Sequence, residues 1–150
     1  MKRPYVFLAV GLAVTTGAVT VASARPSIPG ARPSSAATVQ LRHSSLGSIL
    51  VSSSGRTLYE FTRDHADKSS CASIRGCSEI WPSLRASGRP TAGSGVRASL
   101  LSTSGGQVTY AGHPLYLYSG DRGPGKTSYV GVKQFGGTWY ALNASGGAVK

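Results

Sequence analysis

The chain has 150 residues and a formal net charge of +11. That length suffices for one ordinary domain or two very small ones and excludes a large multidomain enzyme. Twenty glycines and eight prolines favour turns over long helices. Only five residues are acidic, namely Glu60, Asp64, Asp67, Glu79 and Asp121, so any chemistry that needs carboxylates must draw on these. Methionine occurs only at Met1, which removes thioether ligation of haem or copper in a processed chain.

Residues 1–24 read as an export signal. Lys2 and Arg3 precede an apolar stretch from Tyr5 to Val14, and Ala22-Ser23-Ala24 supplies the small residues of a cleavage site. The competing reading is a retained anchor, since Pro4 to Ala24 carries no charge. Thr15, Thr16, Gly17 and Thr20 weaken that alternative. No cysteine follows the signal, so no lipid can be attached there. Residues 25–37 (RPSIPGARPSSAA) have little to bury and read as a disordered linker.

Order is expected from Thr38, in a β domain spanning 38–150. Val39 and Leu41 alternate with polar residues. Ser48 to Val51, Thr57 to Phe61, Leu100-Leu101, Val108 to Tyr110, Leu115 to Tyr118, Tyr129 to Val132 and Trp139 to Leu142 read as short strands. Turn residues separate them at 53–56, 105–106, 111–112 and 136–137, and 86–95 reads as a flexible loop. Glu79 to Leu84 could form one helical turn at most. The fold class is therefore all-β. Cys71 and Cys77 survive signal removal into an oxidising compartment, and their spacing suits a structural disulfide better than a metal or redox motif.

An internal repeat is the most informative feature. Gly55 to Asp64 (GRTLYEFTRD) aligns with Gly112 to Asp121 (GHPLYLYSGD) at a constant offset of 57. Val51 matches Val108 at the same offset, while Lys68, Ser70 and the Trp81 to Leu84 run match Lys126, Ser128 and Trp139 to Leu142 at 58. Two units, about 47–84 and 105–142, are expected to pack face to face as one small sandwich- or barrel-like domain. Strand parity puts Tyr59 and Phe61 on one face and Leu58 on the other, with Tyr116 and Tyr118 opposite Leu115 and Leu117. Asp64 and Asp121 stand where each strand ends. There they can accept backbone N–H bonds, pair with Lys68 or Lys126, or belong with the rings to a ligand site.

These residues resemble a family of bacterial secreted repeats, or predicted lipoproteins, defined by Y-x-[FWY]-x-x-D. Here the motif is Tyr59 to Asp64 and Tyr116 to Asp121. The Cys loop followed by W-P-x-L resembles Cys71 to Leu84. The second-repeat pattern is matched by Thr109 to Tyr116, Pro124-Gly125 and Phe135 to Trp139. The resemblance implies export, an envelope location and two repeats, but no assigned activity. Lys126 occupies a place where the resemblance implies an acidic residue.

Other motifs lead nowhere. Gly120 to Thr127 (GDRGPGKT) matches a phosphate-binding loop in letters, but strand-like Ser128 to Val132 follows where a helix is required, so no nucleotide is expected. No G-x-S-x-G elbow occurs. His43, His65 and His113 read as surface residues. A cation site from Glu60, Asp64, Asp67 and Glu79 would lack EF-hand spacing and would be crowded by Arg63 and Lys68. The expectation is a monomeric, non-catalytic, secreted or extracytoplasmic module without metal or cofactor, serving a binding or structural role. Its basic residues are scattered singly, so anionic envelope polymers are its expected partners, through net charge and without sequence-specific nucleic-acid reading. The alternatives are a secreted hydrolase using a motif aspartate and a basic adhesin for wall polymers.

Overall fold

A computed structural model describes residues 36–150. The export signal and all but the last two residues of the linker lie outside the described residues. Ten short strands form three small sheets, with one α-helical turn and two 3-10 turns, so the all-β expectation is met.

Strands β1 (Thr38–Ser44) and β2 (Gly47–Ser52) form a hairpin, and β4 (Thr91–Ala92) adds to β1 in parallel. Strand β4 lies inside the segment expected to be a flexible loop. Its backbone is held by Thr91 and Gly93 N–H groups donating to Ala37 and Val39. A second hairpin joins β5 (Leu101–Ser104) to β6 (Gln107–Tyr110), with β7 (His113–Pro114) alongside. The third sheet is built on β9 (Gly137–Leu142). Strand β3 (Tyr59–Phe61) pairs along one edge, and β8 (Val132–Gln134) and β10 (Ala148–Val149) along the other. The strand expected at Tyr129 to Val132 begins at Val132 instead, because 129–131 turn back on Thr127 and Trp139 through backbone bonds.

The repeats meet edge to edge, not face to face. Tyr59 N–H donates to the Tyr116 carbonyl at 2.9 Å, and Tyr116 N–H donates to the Tyr59 carbonyl at 3.0 Å. Equivalent residues thus sit on a local two-fold axis. Each motif strand then pairs outward with the tryptophan strand of the other repeat. Tyr59 faces Ala141 and Phe61 faces Trp139, while Tyr116 faces Ser83. One equivalence shifts: Leu58 N–H bonds Leu50, whereas Leu115 N–H bonds Val108. Leu50, rather than Val51, is therefore the counterpart of Val108, and the first repeat has one extra residue before its motif.

Strand parity divides the core. Leu58 and Leu115 join Val39, Leu50, Val108, Leu142 and the ring of Tyr110 in a mainly aliphatic cluster. Tyr59, Phe61 and Tyr116 lie with Trp81, Trp139, Cys71 and Cys77 in an aromatic cluster. Ile49, Val51 and Ala141 form a third, smaller group.

Candidate functional site

The motif residues converge on the aromatic cluster around the two-fold axis. Trp81 and Trp139 stack with ring centroids 3.7 Å apart and planes 1° from parallel. Each is met edge-on by the motif tyrosine of its own repeat, Tyr59 on Trp81 and Tyr116 on Trp139, both at 5.2 Å. Each is also covered by the second motif aromatic of the other repeat. Phe61 stacks on Trp139 at 4.2 Å, and Tyr118 tilts over Trp81 at 4.9 Å. Offset and edge contacts of this kind contribute about 0.5–1.5 kcal/mol per pair beyond area burial. Tyr59, Phe61, Tyr116 and both tryptophans are buried, and Tyr118 is partly covered, so their faces are filled by one another.

The aspartates close this arrangement by crossing between repeats. Tyr59 Oη donates to Asp121 Oδ2 at 2.8 Å, and Tyr116 Oη donates to Asp64 Oδ2 at 2.7 Å. Neither Asp pairs with Lys68 or Lys126. A carboxylate acceptor gives a charge-assisted bond, stronger than a neutral one. The backbone supports the same symmetry. The Asp64 and Asp121 N–H groups donate to Phe61 and Tyr118, which turns each carboxylate back over its strand end. Asp67 N–H reaches the Gly112 carbonyl and Gly125 N–H reaches the Gly55 carbonyl, both at 2.9 Å, so each motif loop is tied to the start of the other motif.

The two ends differ in what else the carboxylates do. Asp64 also accepts Ser70 N–H at 2.7 Å, as expected of a turn-holding residue, and Tyr116 Oη has Ser69 Oγ as a second partner at 2.8 Å. No backbone N–H bonds the Asp121 side chain among the described residues, which departs from the backbone-acceptor reading and leaves Tyr59 as its partner. Burial pushes both carboxyl groups above the ordinary carboxylate value, partly offset by the Ser70 amide at Asp64 and by Tyr59 at Asp121. Burial likewise pushes the Tyr59 and Tyr116 hydroxyls well above the usual tyrosine value, and the facing carboxylates add to it. These hydroxyls are donors, not bases.

Cys71 and Cys77 form a disulfide with Cα atoms 5.4 Å apart, both buried against the aromatic cluster. Cys71 opens a 3-10 turn (Cys71–Ser73) and Cys77 opens the helical turn α1 (Cys77–Ile80), whose first carbonyl accepts Trp81 N–H and so sets that ring's entry. Tyr129 stands at the place of Cys71 in the second repeat, packed on Trp81 and Tyr118. Trp81 Nε1 donates to Gln134 at 2.9 Å, whereas buried Trp139 Nε1 has no partner.

The histidines are not equivalent. His43 and His65 are exposed, but His113 is half-buried and its Nδ1 meets Glu60 at 2.7 Å, the one ion pair among the described residues. That hydrogen bond raises the His113 value, although burial works against it. Sequence reading placed His113 simply at the surface. The missed signal was Glu60, an acid in the middle of a buried strand, which requires a partner. Among the described residues, no three His, Cys, Asp or Glu side chains gather in a way that could hold a metal. An open groove of about 590 Å³ is lined by Thr62, Lys133, Gln134, Phe135 and Thr138, with none of the motif's aromatic rings or aspartates in its wall. The GDRGPGKT segment is a run of turns followed by a further turn, so no helix N-terminus is available for phosphate.

These features define a two-repeat β module whose shared motif is turned inward and locked across the repeat boundary. Residues 101–143 match a family described as a secreted repeat of unknown function, which covers the second repeat and supports an extracytoplasmic location. No curated protein and no solved structure matches the chain.

Proposed function

We propose that this chain is an exported, non-catalytic module of the cell envelope or extracellular space. Its motif serves its own fold, and its work is done at its surface. The observation that carries this reading is the crossed pair of Tyr–Asp bonds. Tyr59, Tyr116, Asp64 and Asp121 are consumed by each other, and the rings beside them are stacked on the tryptophans. A hydrolase working through a motif aspartate needs that carboxylate open to substrate or water. Asp121 is 5 % exposed and engaged, and Asp64 already accepts two bonds.

The test combines two measurements on Asp64→Ala, Asp121→Ala and wild type: the thermal unfolding midpoint, and turnover of glycoside, ester and peptide substrates. Losing a charge-assisted bond to a buried hydroxyl costs ~1.5 to 3 kcal/mol, and ~1 kcal/mol already shifts a domain of this size by several degrees. Both variants should melt lower, and the wild-type protein should turn nothing over. Wild-type turnover abolished by either substitution, at an unchanged midpoint, establishes the hydrolase instead.

A further inference from the structure

The phosphate-loop string at 120–127 is not a nucleotide site, yet the fold gives it a charge environment that the sequence hides. Four cations from three parts of the chain collect around it. Arg42 on β1 lies over the loop. A Cβ at Gly125 would come within 3.1 Å of Arg42 Nε, and one at Gly55 within 3.4 Å of Arg42 Nη1. Gly55 and Gly125 both have positive φ, +77° and +69°, and the guanidinium lies close to each. Gly55 is itself pressed against Pro124, where a Cβ would approach 2.8 Å, so the first repeat's turn and the second repeat's loop are in contact. Arg56 follows Gly55 and is anchored by Nη2 donating to the Tyr118 carbonyl. Lys126 follows Gly125, and its carbonyl accepts the Thr57 hydroxyl. Arg122 stands exposed in the same loop, as do Lys126 and, on its strand, Arg42.

The only acid in this group is Asp121, which is buried and spent on Tyr59. The Arg56 and Lys126 charges reach it and pull its carboxyl value down against the larger effect of burial. None of the four cations has an ion pair among the described residues. The corresponding loop of the first repeat mixes the signs, with Arg63 and Lys68 beside Asp64 and Asp67, and Glu60 bound to His113. This group thus sets four cations against one buried acid, where the first repeat's loop carries both signs.

We propose that Arg42, Arg122 and Lys126, with Arg56 behind them, form a binding site for a phosphate-bearing polyanion, a flexible envelope chain of successive phosphate groups. Arginine dominates the set, and its planar fork suits phosphate oxygens, where lysine offers a point charge. The site is open and its cations come from separate elements. It therefore offers successive contacts to a polymer rather than a cage for one small ion. Binding through such contacts displaces counterions, so it weakens with salt in proportion to the contacts made. The proposal rests on the reading of a surface-acting, non-catalytic module.

The test uses the mature chain with long-chain polyphosphate as probe. It compares wild type, Arg42→Gln/Arg122→Gln/Lys126→Gln, and a control with the same charge change elsewhere, Lys68→Gln/Arg75→Gln/Lys133→Gln. All six positions are exposed, and unchanged unfolding midpoints verify folding. The site variant should lose at least ~10-fold in affinity at low salt, and its log–log salt slope should fall by ~2 to 3. The control should stay near wild type. Equal losses in both variants mean that net charge alone binds, which overturns the site. Absent binding of polyphosphate, or binding of anionic lipid vesicles alone, or of duplex DNA alone, also overturns it. Shortening of the polyphosphate during incubation would overturn the non-catalytic reading while leaving the location of the site to the variant comparison.

Discussion

The two repeats share their centre and differ in how they reach it. Around the axis every part has its counterpart: paired tyrosine backbones, crossed Tyr–Asp bonds, stacked tryptophans and a leucine beneath each motif. Between motif and tryptophan the resemblance ends. The first repeat uses a disulfide and a helical turn, and the second uses Tyr129 and the β8–β9 hairpin. The difference teaches that the motif specifies the contact between repeats, while the intervening loop only has to deliver a tryptophan to the axis. That is why one pattern tolerates two loops of such different chemistry.

The largest effect is expected at the axis. Trp81→Ala or Trp139→Ala removes a fully buried ring stacked on its twin, and should cost ~3 to 5 kcal/mol. Phenylalanine substitutions sharpen the comparison. Trp81→Phe leaves Gln134 without the indole donor it accepts, whereas Trp139→Phe removes an N–H that bonds nothing. Denaturant unfolding should therefore show Trp81→Phe to be the more damaging of the two. Equal losses would mean that the indole bond to Gln134 contributes little.

The covalent device belongs to the first repeat alone. Converting Cys71 and Cys77 together to alanine should cost ~2 to 2.5 kcal/mol by the chain-entropy estimate for so short a ring. Reduction of the wild-type protein should give a similar loss in chemical denaturation. The second repeat has no counterpart to break, since rings hold its loop.

Much of this architecture was legible in the letters, and the reasons are physical. A period of two is simple, so Leu58 and Tyr59 sort correctly to opposite faces. Repetition at a fixed offset exposed the motif and its tryptophans. What stayed hidden depends on how the copies dock. Nothing in Tyr59-to-Asp64 says that its aspartate serves Tyr116, since a local turn and a long-range lock use the same residues. The clustering of Arg42 with Arg56 and Lys126 was invisible for the same reason, being set by a contact between repeats. Likewise, the counterpart of Val108 was misassigned to Val51, because one extra residue in a turn leaves no trace in composition.

A finer split is expected between the two locks. Asparagine keeps the shape of aspartate and one carbonyl oxygen, but replaces the second acceptor with a donor. Asp121 needs one acceptor, for Tyr59, so Asp121→Asn should melt within a few degrees of wild type. Asp64 uses both oxygens, one for Ser70 N–H and one for Tyr116. Asp64→Asn must abandon one of them and should lose roughly 1 kcal/mol, near the worth of a single hydrogen bond. Thermal unfolding of the two variants side by side decides it, and equal losses would mean that the locks are alike despite their different partners.

The smallest effect is a pH dependence confined to one end. His113 occupies the position that Arg56 holds in the first repeat, and arginine does not titrate in the accessible range. His113 donates to Glu60, with Asp64 and Asp67 adding favourable charge, so its value in the folded state lies above the ordinary 6.5. Between that value and the raised one, the folded chain holds more proton than the unfolded chain, and stability falls as pH rises. The contribution is thus complete below pH 6.5 and is lost as pH climbs through the folded value. Half-exposure of the imidazole keeps the change small, because water screens the pair. The wild-type midpoint should drift down through this window, and His113→Gln should remove the drift. Asp64 and Asp121, raised by burial from 3.8, have the same sign, so their contribution too is lost as pH rises. A drift that persists in His113→Gln would detach the Glu60 pair from the pH dependence of the fold.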